Sequence, residues 1–179
     1  MKAILISIQS PHVCNILNEI KTLEIRKKFP KDYVGWVYIY VTKGKPYITG
    51  IYNYEHKIVY GDIENKNHNI NGKVVARFWC DKVSPTYDFY EEEICDLACI
   101  TKQEYLDYFG YDDGYAIHIT NLEIFDKPKE LSEFKSKLHI KGGCKNCPQY
   151  TGFPMPYCAT CDFLLPLTRA PQSWCYVEV

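Results

Sequence analysis

Three side chains near the start of the chain could do chemistry together: Lys21, Glu24 and Arg26, in the run Glu19-Ile20-Lys21-Thr22-Leu23-Glu24-Ile25-Arg26. An ammonium, a carboxylate and a guanidinium fork this close in sequence can hold a phosphate or a base edge, or move a proton where burial tunes them. In an extended segment alternate side chains share a face. Glu24 and Arg26 are therefore expected on the wet side with Thr22 beside them, while Leu23 and Ile25 turn to the core. Opposite charges so close also pair with each other, so the same residues fit a purely structural ion pair.

A second constellation is Cys144-x2-Cys147-x10-Cys158-x2-Cys161, four of the nine cysteines. Two Cys-x-x-Cys pairs joined by a short loop can place four thiolates around a tetrahedral metal. The flanks Gly142-Gly143, Pro148, Gly152, Pro154 and Pro156 fit a knuckle too poor in aliphatic residues to fold by burial alone,. The spacing predicts a structural zinc; free thiols, or disulfides in an oxidising compartment, are the alternatives. Four thiolates close the coordination sphere, so no catalytic role is assigned. The scattered Cys14, Cys80, Cys95, Cys99 and Cys175 read as small core hydrophobes.

The elements that must position these groups are mostly strands. Ala3–Ile8 reads as a first strand, and Pro11–Leu17 reads as a short helix. Trp36–Thr42 and Lys73–Val83 are strong strands, Thr101–Tyr108 is a helix with a Thr101/Glu104 capping box, Tyr115–Phe125 is a strand closed by Lys127-Pro128, and Ser173–Val179 is the last strand,. Glu91-Glu92-Glu93 reads as a solvated acidic loop. Without regular alternation of strand and helix, the pattern predicts a mixed, mainly β, α+β fold, closed into a small barrel with short flanking helices. The 179 residues fit a single domain, 1–179, with the knuckle at 142–163 inserted before the last strand,.

Hydrophobic residues make up 46% and charged residues 24%, an ordinary globular balance with no apolar run of membrane-spanning length,. The start of the chain reads as a strand rather than a signal peptide, which predicts a cytoplasmic protein with no membrane partner. A net charge of −1 argues against strong non-specific nucleic-acid binding,. The charge is polarised, however: ten acidic residues oppose two lysines between Asp81 and Asp113, while five basic residues oppose two acidic ones between Glu19 and Lys31. Such a surface still offers one basic face.

The chain resembles the ASCH domain (activating-signal-cointegrator homology) of the PUA-like superfamily, of the type found in phages and mobile elements. The hallmark there is Gly-x-Lys-x-x-Glu-x-Arg after the first strand and helix; here it stands as Glu19-x-Lys21-x-x-Glu24-x-Arg26. Ser7-Ile8-Gln9, the Pro11-led helix, Pro30, WVYIYVT, KVVARFWC, TKQEYLDYFG with GYAIHI, and Phe125-Asp126-Lys127-Pro128 are similar as well. The likeness covers roughly residues 1–140 and resumes from Arg169 to Tyr176. It implies a PUA-like β-barrel with a cleft lined by the motif, and an RNA-binding role. The departure is Glu19 for Gly: if the position needs a positive φ, Glu is costly there and the local turn is expected to differ.

The resemblance implies an RNA or nucleotide-like ligand held by Lys21, Thr22, Glu24 and Arg26, with Lys27, Arg169, Ser173 and Trp174 extending the surface. Trp36, Tyr38 and Tyr176 are further candidates for a stacking face. The competing reading is a hydrolase of a modified nucleoside or RNA, with Lys21 and Glu24 catalytic. One enzymatic group resembles amidohydrolases of an acetylated cytidine and carries a Lys, a Thr three residues on and a distant Glu. Lys21 fits the first and Glu104 loosely the last, but Glu24 stands in the place of Thr, and a carboxylate does not replace a hydroxyl nucleophile without changing the chemistry. A third reading is a protein-binding phage factor that uses the acidic stretch and the knuckle.

Overall fold

The computed structural model describes residues 2–51, 58–60, 69–137 and 164–179. The four knuckle cysteines lie outside the described residues. Mostly strands, with three α-helices among the described residues, build a mixed α and β fold.

Strand β1 (Lys2–Ile8) sits in the middle of a seven-stranded sheet, parallel to β3 (Gly35–Val41) and antiparallel to β12 (Trp174–Glu178). A central strand covered on both faces needs an almost unbroken apolar run rather than strict alternation. Ala3-Ile4-Leu5-Ile6 supplies one. Ile4, Ile6 and Ile8 pack with Val37, Ile39 and the Val13, Ile16 and Leu17 side chains of helix α1 (Ser10–Leu17), while Ala3 and Leu5 pack on the other face with Tyr38, Tyr40, Phe134 and Val177. The sheet continues from β3 through β6 (Val74–Cys80) to β9 (Thr120–Lys129), and from β12 through β10 (Lys135–Lys137) to β11 (Leu164–Pro166).

The expected barrel is a correction: the described sheets are not closed, and β9 and β11 form opposite edges of the large one. β9 runs on through Pro128 to Lys129 instead of ending at Lys127-Pro128. Its ladder with β6 breaks register twice, Asp126 and Lys127 are exposed, and Pro128 has no N–H to give a further strand,. These features mark a strand built as an edge.

A second layer carries the motif. β2 (Leu23–Arg26) pairs with β8 (Tyr115–His118), which pairs with β7 (Val83–Pro85), all antiparallel. Leu23, Ile25 and Ala116 pack under helices α2 (Glu91–Ala98) and α3 (Lys102–Phe109), against Ile94, Cys95, Ala98 and Phe109. Helix α2 corrects the acidic-loop expectation: Glu91, Glu92 and Glu93 occupy its first turn, where they complement the positive end of the helix dipole,. A short antiparallel pair, β4 (Ile48–Ile51) with β5 (Ile58–Tyr60), forms a third sheet. Cys14, Cys80 and Cys95 are buried, Cys99 and Cys175 half-buried. Burial pushes the Cys14 thiol up to about 11 and that of Cys80 up to about 12, so both stay protonated,.

Candidate ligand-binding cleft

The motif begins where α1 stops. The Glu19 N–H bonds the Ile16 carbonyl and the Ile20 N–H reaches back to the Asn15 carbonyl, both at 2.9 Å. This is a Schellman closure, which needs a left-handed residue at Glu19, and Glu19 has φ +59°. The turn therefore keeps the conformation a glycine would take easily; the expectation that Glu would change it is not met.

From there the chain is stitched to the end of α2. The Thr22 N–H donates to the Leu97 carbonyl at 3.0 Å, and the Lys21 ammonium donates to the Ala98 carbonyl at 2.5 Å. A cation on the last carbonyls of a helix is favoured by the helix dipole. Lys21 is only 2% exposed, and its Nζ lies 3.4 Å from Glu24 Oε2. Glu24 Oε1 in turn meets Arg26 Nη2 at 2.9 Å. That same Nη2 donates to the Ser7 carbonyl at 2.7 Å, which ties β2 to the end of β1. Burial alone would raise the Glu24 carboxyl, but Lys21, then Arg26 and His12, outweigh it and hold its pKa below the usual carboxylate value,.

These groups line a cavity of about 340 Å³. It is lined by Ser7 and Ile8 of β1 with Gln9 just after it, by Lys21, and by Glu24, Ile25 and Arg26 of β2. His12 of α1, Thr42 after β3, Ile100 after α2, Glu104 and Tyr108 of α3, and Gln172 before β12 complete the described lining. Among the described residues, its charged lining consists of two cations, Lys21 and Arg26, and two anions, Glu24 and Glu104. Glu104 is also half of the capping box: its Oε2 accepts from the Thr101 N–H at 2.7 Å, while Thr101 Oγ1 accepts from the Glu104 N–H at 3.1 Å.

Two cavity residues carry polar atoms that are shielded from solvent yet make no hydrogen bond, Arg26 Nε and His12 Nδ1. The other two such atoms among the described residues, Ser84 Oγ and His118 Nε2, belong to residues that do not line this cavity. Burial lowers the His12 pKa and Lys21 lowers it further, against a smaller upward pull from Glu24 and Glu104, so the ring is neutral at neutral pH.

No family model matches the chain, and no curated protein matches it. Solved structures do. A tyrosine-to-phenylalanine variant of the ASCH protein from Zymomonas mobilis superposes with a TM-score of 0.50 at 16% identity, covering 73% of this chain and 77% of that one. The fold is that of an ASCH protein. A serine-to-alanine variant of the same ASCH protein gives a TM-score of 0.51 at 16% identity, covering 72% and 74%.

Of the residues that sequence singles out on this ASCH fold, the cavity brings together Lys21, Glu24 and Arg26. Thr22 is exposed and outside it, its backbone serving the α2 junction. Lys27 stands at the rim, its Nζ 5.6 Å from the centre of the Tyr108 ring. Arg169 is exposed and lines no part of the cavity. The Ser173 carbonyl accepts from the Ser7 N–H, and Trp174 Nε1 donates to the Lys28 carbonyl at 2.7 Å while its ring meets Phe29 edge-on. Trp36 and Tyr38 pack around the Arg77 guanidinium on the far face. Among the described lining residues Tyr108 is the one tyrosine, phenylalanine or tryptophan. Sequence reasoning missed His12, Gln9, Tyr108 and Gln172; the available signal for the first two was a polar helix start, Gln9-Ser10-Pro11-His12, directly upstream of the motif. Among the described residues no three His, Cys, Asp or Glu side chains cluster as a metal site, and no helix is long and apolar enough to cross a membrane.

Proposed function

We propose that the chain is an ASCH module that binds RNA or a nucleotide-like ligand in this cleft. The observation that carries the reading is the pair of shielded, unpartnered polar atoms, Arg26 Nε and His12 Nδ1, on two residues that line one cavity. Buried polar atoms are nearly always bonded in a finished structure, so an orphaned pair beside a hollow marks where a ligand completes the set. The cavity volume of about 340 Å³ suits a single nucleoside rather than a folded nucleic acid. In this reading Lys21 and Glu24 position Arg26, and Tyr108 offers a stacking face. Lys27, Thr22, Arg169, Ser173 and Trp174 lie outside the cavity and would meet only a ligand that extends beyond it, as an RNA strand does.

Binding is tested by titrating the folded chain with ribonucleosides and with short single-stranded RNAs. Saturable binding supports the reading, and the absence of binding to every probe removes it. Turnover of an acylated cytidine or a short RNA, abolished in Glu24→Gln with the fold intact, would replace it with the hydrolase reading. Separately, we propose that Cys144, Cys147, Cys158 and Cys161 hold a structural zinc, on the strength of their spacing. Metal analysis under reducing conditions should find one zinc per chain, and a value near zero would overturn the assignment.

A further inference from the structure

We propose that the cleft reads an uncharged base edge through Arg26 Nε and His12 Nδ1, and does not take a phosphate. The inference rests on the nucleobase reading above and narrows it to one part of the ligand.

The charges in the cavity decide against an anion. Lys21 and Arg26 are both cations, but each is already paired with Glu24, at 3.4 Å and 2.9 Å. Glu104 adds a second carboxylate to the lining. With His12 neutral, the formal charge of the described lining residues is zero. A phosphate would have to enter beside an ionised, buried carboxylate, and among the described lining residues both cations are already paired with that carboxylate,. Phosphate sites are built the other way, with cationic forks or backbone N–H groups left free.

The same groups suit a neutral edge that carries both donors and acceptors. Arg26 can only donate, so its free Nε–H needs an acceptor such as a ring carbonyl or ring nitrogen. Both Glu24 oxygens already receive one bond each, but a carboxylate oxygen has a second lone pair, which can take an amino or ring N–H donor. A neutral imidazole either accepts or donates at Nδ1, according to its tautomer. Nucleobases present such donor–acceptor edges; phosphates and ribose 5-phosphate offer no ring edge at all.

His12 is the more informative residue to change, because Arg26 also ties β2 to the Ser7 carbonyl. The full chain is titrated with cytidine, uridine, adenosine, guanosine, a short single-stranded RNA, inorganic phosphate and ribose 5-phosphate. At least one base-bearing probe should bind, and neither phosphate nor ribose 5-phosphate should compete with it. The affinity for a bound nucleoside should change by less than about twofold between ~50 and ~200 mM salt, unlike contacts to several phosphates. His12→Phe, which keeps a planar ring without nitrogens, should weaken binding by about tenfold. His12→Asn, with an amide atom near the position of Nδ1, should recover most of that loss. In the unaltered protein the His12 imidazole nitrogen resonances should shift when the probe is added, a readout that does not depend on how either variant folds. Competition by phosphate overturns the neutral-edge assignment. Binding unaffected by His12→Phe, together with unmoved imidazole resonances, overturns the role of His12 alone. If the unaltered chain binds no base-bearing probe, the nucleobase reading itself fails and takes this inference with it.

Discussion

The Lys21 ammonium lies between the Ala98 carbonyl, at 2.5 Å, and Glu24 Oε2, at 3.4 Å, so one side chain joins the motif strand to the end of α2. A cation this deeply buried is tolerated because both contacts compensate its lost hydration. The consequence is asymmetric. Removing Lys21 leaves the Glu24 carboxylate buried with Arg26 as its remaining close cation, and leaves the Ala98 carbonyl without this donor. Lys21→Met, which keeps the volume, should cost about 3 kcal/mol, the lower end for a broken buried pair. Urea unfolding monitored by circular dichroism measures it. The double variant Lys21→Met/Glu24→Gln should recover part of the loss, and additive losses would show that the two residues do not interact.

Glu19 carries the left-handed conformation that closes α1, with φ +59°. The backbone bonds to Ile16 and Asn15 hold it there, so the strain of a Cβ in this region is a standing cost,. Glu19→Gly removes that cost without touching the cavity, and should stabilise the protein by about 1 kcal/mol. The ligand affinity should not change. A fall in the urea midpoint would refute the assignment of strain.

What the sequence made legible follows from how local each signal is. The first strand, Trp36–Thr42, the core of Lys73–Val83 and the last strand all announce themselves by apolar or aromatic runs, and the Thr101/Glu104 box announces α3, because those preferences act within a few residues. Closure of a sheet is not local. Pro128 is the one local sign of an edge in Thr120–Lys129, and both the strand-rich pattern and the resemblance to a barrel family pointed to closure instead,. The site divides in the same way. Lys21, Glu24 and Arg26 were visible as a spaced motif, whereas Tyr108 and Gln172 reach the cavity from distant segments that only the fold brings together. His12 lies close to the motif in sequence, but nothing in its spacing links it to Lys21, Glu24 and Arg26. Glu91 to Glu93 looked like a loop because their charge masked Ile94, Cys95 and Ala98 on the opposite side of the same helix.

Acid should destabilise the fold in two stages. Burial first, then Lys21, lowers the His12 pKa from its ordinary value, and burial lowers that of His118 as well. The unfolded chain therefore binds protons at both sites before the folded one does. Stability is full above the ordinary histidine range, about 6.5, and declines as pH falls below it. The second stage belongs to Glu24. Its folded pKa lies below the ordinary value because Lys21 and Arg26 outweigh its burial. Its contribution is present above about pH 4.3 and is lost as pH falls from there through the folded value. Urea midpoints measured from about pH 8 to pH 3 should show both stages. His12→Asn should shrink the first stage and, because Lys21 and Arg26 act more strongly on Glu24 than His12 does, leave most of the second; removing His118 as well should shrink the first further. An unchanged first stage in the double variant would contradict these assignments.

Gly114 couples the stability of the second layer to the geometry of Arg26. It precedes β8, and its N–H and carbonyl are both bonded to Thr86, at 2.9 Å and 3.0 Å. A Cβ at this position would overlap the Phe109 ring and lie 2.7 Å from the Arg26 carbonyl oxygen. The ring can be trimmed, but the carbonyl is backbone and can move only by shifting the end of β2. Gly114→Ala should therefore cost about 1–3 kcal/mol, as overpacking does. It should also weaken any ligand bound in the cleft, because the Arg26 guanidinium shifts relative to Ser7 and Glu24. Adding Phe109→Leu should relieve part of the stability loss and none of the binding loss. If that double variant binds like the unaltered protein, the close approach of Gly114 to Arg26 does not set the position of the guanidinium.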